Sequence, residues 1–89
     1  MVSNRVRVMN DSGLHARPAS VFVKAAKAYQ SDITICKCQG GANVNAKSIA
    51  RILCEAITKG TEIEIAAHGS DEKEAVDYLA ELIESGFGE

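Results

Sequence analysis

Eighty-nine residues, 46% of them apolar and 25% charged, describe one small folded domain over 1–89 and exclude a disordered chain. The net charge of −2 is unevenly placed: positions 14–60 carry seven basic residues against two acids, and positions 61–89 carry nine acids against one lysine. With only four aromatic residues, no lysine-arginine run and no apolar stretch near the length of about 18 residues that a membrane span requires, neither nucleic-acid binding nor membrane insertion is expected.

From Asn4 to Met9 the chain alternates, Val6 and Val8 against Arg5 and Arg7, which predicts a half-buried strand. Asn10-Asp11-Ser12-Gly13 is turn chemistry. From His15 to about Tyr29 the period lengthens: Ala19, Phe22, Val23 and Ala26 share one helical face. Pro18 is tolerated only in the first turn, where its missing N–H would have had no intrahelical partner, so the helix starts at or just after His15.

Alternation returns from Asp32 to Cys38, with Ile33 and Ile35 opposite Thr34 and Cys36. Gln39-Gly40-Gly41 signals a hairpin turn, and Ala42 to Asn45 reads as a short returning strand. Ile49, Ile52, Leu53, Ala56 and Ile57 form a second helical stripe, opened by Ser48 and closed near Gly60. Glu62 to Ala67 predicts a fourth strand. Ser70-Asp71-Glu72-Lys73-Glu74 is a capped acidic helix start, followed by the stripe Val76, Leu79, Ala80, Ile83 and ended by Gly86. The order βαββαβα, with strands apolar on one face, predicts an α/β (α+β) fold. Its form is an open-faced two-layer sandwich, a four-stranded antiparallel sheet covered on one face by three helices.

The cysteines Cys36, Cys38 and Cys54 are odd in number and fit no disulfide framework, in accord with a cytoplasmic setting; the first five residues lack the apolar core of a secretory signal. Cys36 and Cys38 share a strand face, but no second ligand pair is spaced for zinc, so no metal and no cofactor is expected.

The segment Ser12 to Ser20 carries the chemistry. His15 sits where loop becomes helix, and the first N–H groups of the helix, near Ala16 and Arg17, have no intrahelical partners and form a ready anion site. Arg17 adds a cation suited to phosphate oxygens. A neutral imidazole is a nucleophile at neutral pH. The plainer alternative is that His15 only caps the helix. Ser48 before the second helix is likewise a natural N-cap. Phe22 and Leu53 fit the core stripe. Ser20, Lys24, Lys27, Lys47, Ile49, Ala50 and Arg51 are the candidate docking residues, their cations forming a basic rim that would speed encounter with acidic partners.

Gly13-Leu14-His15-Ala16-Arg17-Pro18-Ala19 resembles the active-site motif of HPr, the histidine-containing phosphocarrier family of the bacterial sugar phosphotransferase system. The length and element order extend the resemblance over essentially the whole chain. It implies a relay and not an enzyme: enzyme I donates a phosphoryl group originating from phosphoenolpyruvate, Nδ1 of His15 accepts it, and sugar-specific IIA proteins take it. Asn45-Ala46-Lys47-Ser48-Ile49 resembles the family's regulatory serine segment. That implies phosphorylation of Ser48 by an ATP-dependent HPr kinase/phosphorylase and binding of the modified form to a transcriptional regulator.

Two features depart from the pattern. Ala50 and Arg51 stand where the family commonly has a bulky apolar residue and then glycine, and the Cys38-to-Ala42 hairpin is about two residues longer than usual. The expected protein is a cytoplasmic monomer. The alternatives are a mainly regulatory protein working through Ser48, against which His15 itself argues, and a carrier for a nitrogen- or dihydroxyacetone-related branch.

Overall fold

A computed structural model of the chain describes residues 1–88. Strand β1 (Val2–Arg7) is followed by helix α1 (Ala16–Lys27), strands β2 (Asp32–Lys37) and β3 (Val44–Asn45), helix α2 (Ile49–Cys54), strand β4 (Glu62–His68) and helix α3 (Glu72–Glu84); a single 3-10 turn, Gly86–Gly88, follows α3. The sheet runs β1-β4-β2-β3 and every pairing is antiparallel. This is the expected open-faced sandwich in the expected element order.

The alternation read in the sequence sets the register. Val6 lies opposite Ile63, and Ile35 lies between Ile65 and Val44, so one face is apolar throughout. Arg5 lies opposite Glu64 on the other face, with their charged groups 3.9 Å apart. The helices close over the apolar face with Ala19, Phe22, Val23 and Ala26 of α1, Ile52 of α2, and Ala75, Val76, Leu79, Ala80 and Ile83 of α3, forming one contiguous core. Burying a side chain such as Phe22 contributes about 1.5–3 kcal/mol.

Element boundaries differ from the sequence reading, most of all at β1 and α2. β1 occupies Val2–Arg7, two residues ahead of the expected Asn4-to-Met9 strand. Val8 still bonds across, its N–H to the Thr61 carbonyl at 2.9 Å and its carbonyl from the Gly60 N–H at 2.7 Å, but as loop pairing. The second helix stops at Cys54, well short of Gly60, because Ala56 takes a positive φ of 51° that no right-handed helix accommodates. The expected stripe placed Leu53 in the core, but it lies within α2 one turn on from Ile49 and both are 41% exposed; Ile52 is buried, and Ile57 reaches the core from the loop after the helix.

Asp71 stands at the start of α3, but its carboxylate does not cap that helix. It accepts from the N–H groups of Gln30 at 2.9 Å and Ser31 at 3.0 Å, and from the Ser31 hydroxyl, tying the α1–β2 connection to α3. Those donors, the Ser31 hydroxyl first, hold the Asp71 carboxyl below the usual aspartate range. The Gly69 N–H is capped instead by Glu72, Oε1 at 3.1 Å.

Candidate functional site

The turn before α1 is pinned from below. Asn10 is buried, and its Nδ2 donates to the Gly13 carbonyl at 2.8 Å while the Gly13 N–H donates back to the Asn10 carbonyl at 3.1 Å. Leu14 is fully buried and its N–H donates to the Ile57 carbonyl at 2.9 Å. Gly13 has φ +65°, and a Cβ there would lie 2.4 Å from the Ile57 oxygen. Only glycine fits that approach, so the residue two places before His15 is locked against the α2–β4 loop.

His15 follows as the N-cap of α1, with extended backbone (φ −130°, ψ 160°). It holds the N-cap position that the plainer reading gave it, but its side chain makes no capping hydrogen bond. The imidazole is half-buried and Arg17 is exposed. Ala16 between them has φ +51°, a left-handed conformation that costs a non-glycine residue about 1–3 kcal/mol. Pro18 occupies the first turn, as expected, and is buried. The first N–H groups of α1, including those of Ala16 and Arg17, lack acceptors within the helix. An uncommitted imidazole, free backbone donors and a guanidinium without an ion pair among the described residues therefore occupy three consecutive positions. That set can hold the oxygens of a phosphoryl group against a nitrogen nucleophile.

Beside this start, α1 and α2 expose Ser20, Val21 and Lys24, and Ile49, Ala50, Arg51 and Leu53. Val21 (37%), Ile49 (41%) and Leu53 (41%) make this surface more apolar than expected. Lys27 is exposed at the far end of α1, and Lys47 donates through Nζ to the Tyr29 carbonyl at 2.8 Å. Tyr29 lies about 20 Å along the helix from His15. Lys47 therefore braces the end of α1 opposite His15. Ser48 is the N-cap of α2, half-buried, its Oγ accepting from the Arg51 N–H at 3.4 Å.

Sequence reasoning missed Asn10, which no motif distinguishes from an ordinary turn residue. It also missed the left-handed backbone of Ala16 and Ala56, for which alanine gives no signal. Cys36 and Cys38 lie half-buried on the open sheet face, and burial, then the Glu62 charge, pushes the Cys38 thiol up. Among the described residues no group of three His, Cys, Asp or Glu side chains is placed to hold a metal ion.

A family model described as the PTS HPr component phosphorylation site matches residues 2–85. The chain belongs to the HPr family. It is 45% identical over 83 residues to the phosphocarrier protein HPr of Haemophilus influenzae, covering 93% of this chain and 95% of that one. It is 42% identical over 84 residues to the HPr-like protein Crh of Bacillus subtilis, covering 94% and 96%. A crystal structure of HPr from Thermoanaerobacter tengcongensis superposes with a TM-score of 0.94 at 42% identity, covering 100% of this chain and 98% of that one. A dimeric HPr from the same organism superposes at 0.78. As an HPr, the chain is a phosphocarrier of the phosphotransferase system and not a catalyst in its own right. Among the described residues no helix is long and apolar enough to cross a membrane.

Proposed function

We propose that His15 is the phosphoryl-carrying residue. Enzyme I supplies the group, originating from phosphoenolpyruvate, and sugar-specific IIA proteins receive it. The observation that carries this reading is the side chain of His15: it stands at a helix start, makes no capping bond, and has Arg17 two residues on. In the forward step the Nδ1 lone pair attacks phosphorus and the bond from phosphorus to the donor breaks. In the return step the acceptor attacks and the P–N bond breaks, leaving neutral imidazole. The N–H groups of Ala16 and Arg17 and the Arg17 guanidinium hold the phosphoryl oxygens in both directions.

Ser20 and Lys24 on α1, with Ile49, Ala50 and Arg51 on α2, form the docking surface used in turn by donor and acceptor; Leu53 joins them. Lys27 and Lys47 sit toward the other end of α1 and serve that surface less directly. Ser48 is the regulatory site. A phosphate on its Oγ replaces one N-cap acceptor with a stronger one, so α2 persists. The added charge repels acidic partners, and the modified form is suited to an HPr kinase/phosphorylase and a transcriptional regulator. The 42% identity to Crh supports this regulatory arm, and the presence of His15 supports the relay over an exclusively regulatory role. The whole chain works as one domain, as a monomer and in the cytoplasm.

Incubation with enzyme I and phosphoenolpyruvate followed by intact-mass measurement tests the assignment. Wild type is expected to gain one acid-labile phosphoryl group and His15→Ala none; phosphorylation of His15→Ala to the wild-type extent would overturn it.

A further inference from the structure

The end of the sheet carries a concavity of about 490 Å³ that the phosphoryl relay does not use, lined by Arg7, Lys37, Gln39, Lys59, Thr61 and Glu62. Its three cations come from separate elements. Arg7 is the last residue of β1, Lys37 the last of β2, and Lys59 lies in the loop before β4. Residues so distant in sequence border one concavity because β1 and β2 both end beside the start of β4, Arg7 in register with Glu62 and Lys37 with Ile63. The guanidinium of Arg7 is steadied by one bond, Nη1 to the Gly60 carbonyl at 2.7 Å, which leaves its other donors available. Lys59 pairs with Asp11 at 2.9 Å, but both groups are exposed, and such a pair is weak and exchangeable. Lys37 is half-buried and has no ion pair among the described residues.

Three cations against Glu62 give this lining a formal charge of +2, or +1 with the Asp11 carboxylate on Lys59 counted, in a chain whose total is −2. A volume of this order suits a small molecule. No large apolar side chain faces the space, which argues against an apolar ligand. An arginine fork with two lysines is a recognition set for phosphate oxygens. The nearby carboxylate raises the charge requirement, since a monovalent anion gains little over its repulsion from Glu62. We propose that this concavity is a second anion site, separate from His15, that binds a small multivalent phosphate compound such as a pyrophosphate or a phosphate ester. Gln39 and the Thr61 hydroxyl supply neutral hydrogen bonds, and Glu62 accepts from a hydroxyl where the ligand carries one.

Inorganic pyrophosphate titrated into the full chain, followed by backbone amide shifts, tests the site. Saturable shifts are expected at Lys37, Gln39, Gly60 and Thr61. Affinity should fall about three- to tenfold in Lys37→Gln and in Arg7→Gln, recover in Lys37→Arg, and persist in Arg17→Gln. Two results would overturn the proposal: shifts confined to Ala16 and Arg17 and lost in Arg17→Gln, or concavity shifts that do not saturate and are the same in Lys37→Gln. Circular dichroism of each variant separates lost binding from lost fold.

Discussion

Ala16 is the residue whose backbone most directly shapes the site. Its left-handed conformation costs alanine about 1–2 kcal/mol, more than the extra chain entropy of about 0.5–1 kcal/mol that glycine forfeits on folding. Ala16→Gly is therefore expected to stabilise the protein slightly, by up to about 1 kcal/mol in urea unfolding; a clear loss of stability would show that the conformation is not strained. Three residues earlier the sign reverses. Gly13→Ala places a Cβ 2.4 Å from the Ile57 oxygen at φ +65°, so either the turn or the α2–β4 loop must move. A loss of about 2 kcal/mol or more is expected in the same assay, together with slower phosphorylation of His15. None of this was legible beforehand. The motif around His15 carries the resemblance to the family, but the backbone angle of an alanine and the bracing by Asn10 depend on what the fold brings against them. Leu53 is a related case: helical spacing puts it on one face with Ile49, and α2 turns Ile52 rather than that face toward the core.

At the scale of elements, helix α2 carries only six residues, too few to be stable without its cap and its packing. Ser48→Ala removes the acceptor for the Arg51 N–H and is expected to cost about 0.5–2 kcal/mol, whereas Ser48→Asp keeps an acceptor and costs less. Ser48→Asp should nonetheless slow phosphoryl transfer to His15, because it mimics the added charge without unfolding α2; wild-type rates in that variant would count against the regulatory reading. Elements were the most legible level of the sequence. Period-two and helical spacing each reflect burial of one face, so the four strands and three helices, and the buried residues of α1 and α3, follow from the apolar pattern. The ends did not follow, because loop bonds such as Val8 to Thr61 and turn conformations such as that of Ala56 terminate elements without a composition signal.

Across the whole molecule, Asp71 joins the α1–β2 connection to α3 and gives stability a pH dependence. Its carboxyl is lowered by donors that exist only in the folded state. The contribution is complete above the ordinary aspartate value of about 4 and is lost as pH falls through the lower folded value. Thermal unfolding should therefore separate Asp71→Asn from wild type most at pH 7 and least near pH 2; a gap that widens in acid would reverse the assignment. The basic front and acidic back of the sequence also acquire a spatial meaning. The cations of α1 and α2 lie on the helices that flank His15, while α3 opens with Glu72 and Glu74. Partner encounter at His15 should accordingly slow as salt is added, through on-rate more than through affinity of the docked complex.

In the proposed relay one nitrogen of His15 receives a phosphoryl group and gives it up again. Phosphorus NMR of the protein after treatment with enzyme I and phosphoenolpyruvate, followed by addition of a IIA protein, tests it most directly. A single acid-labile phosphorus–nitrogen signal is expected, absent from His15→Ala, weakened in Arg17→Ala, and transferred to the IIA protein on mixing. A signal that persists in His15→Ala, or one that forms on His15 and is never passed on, would contradict it.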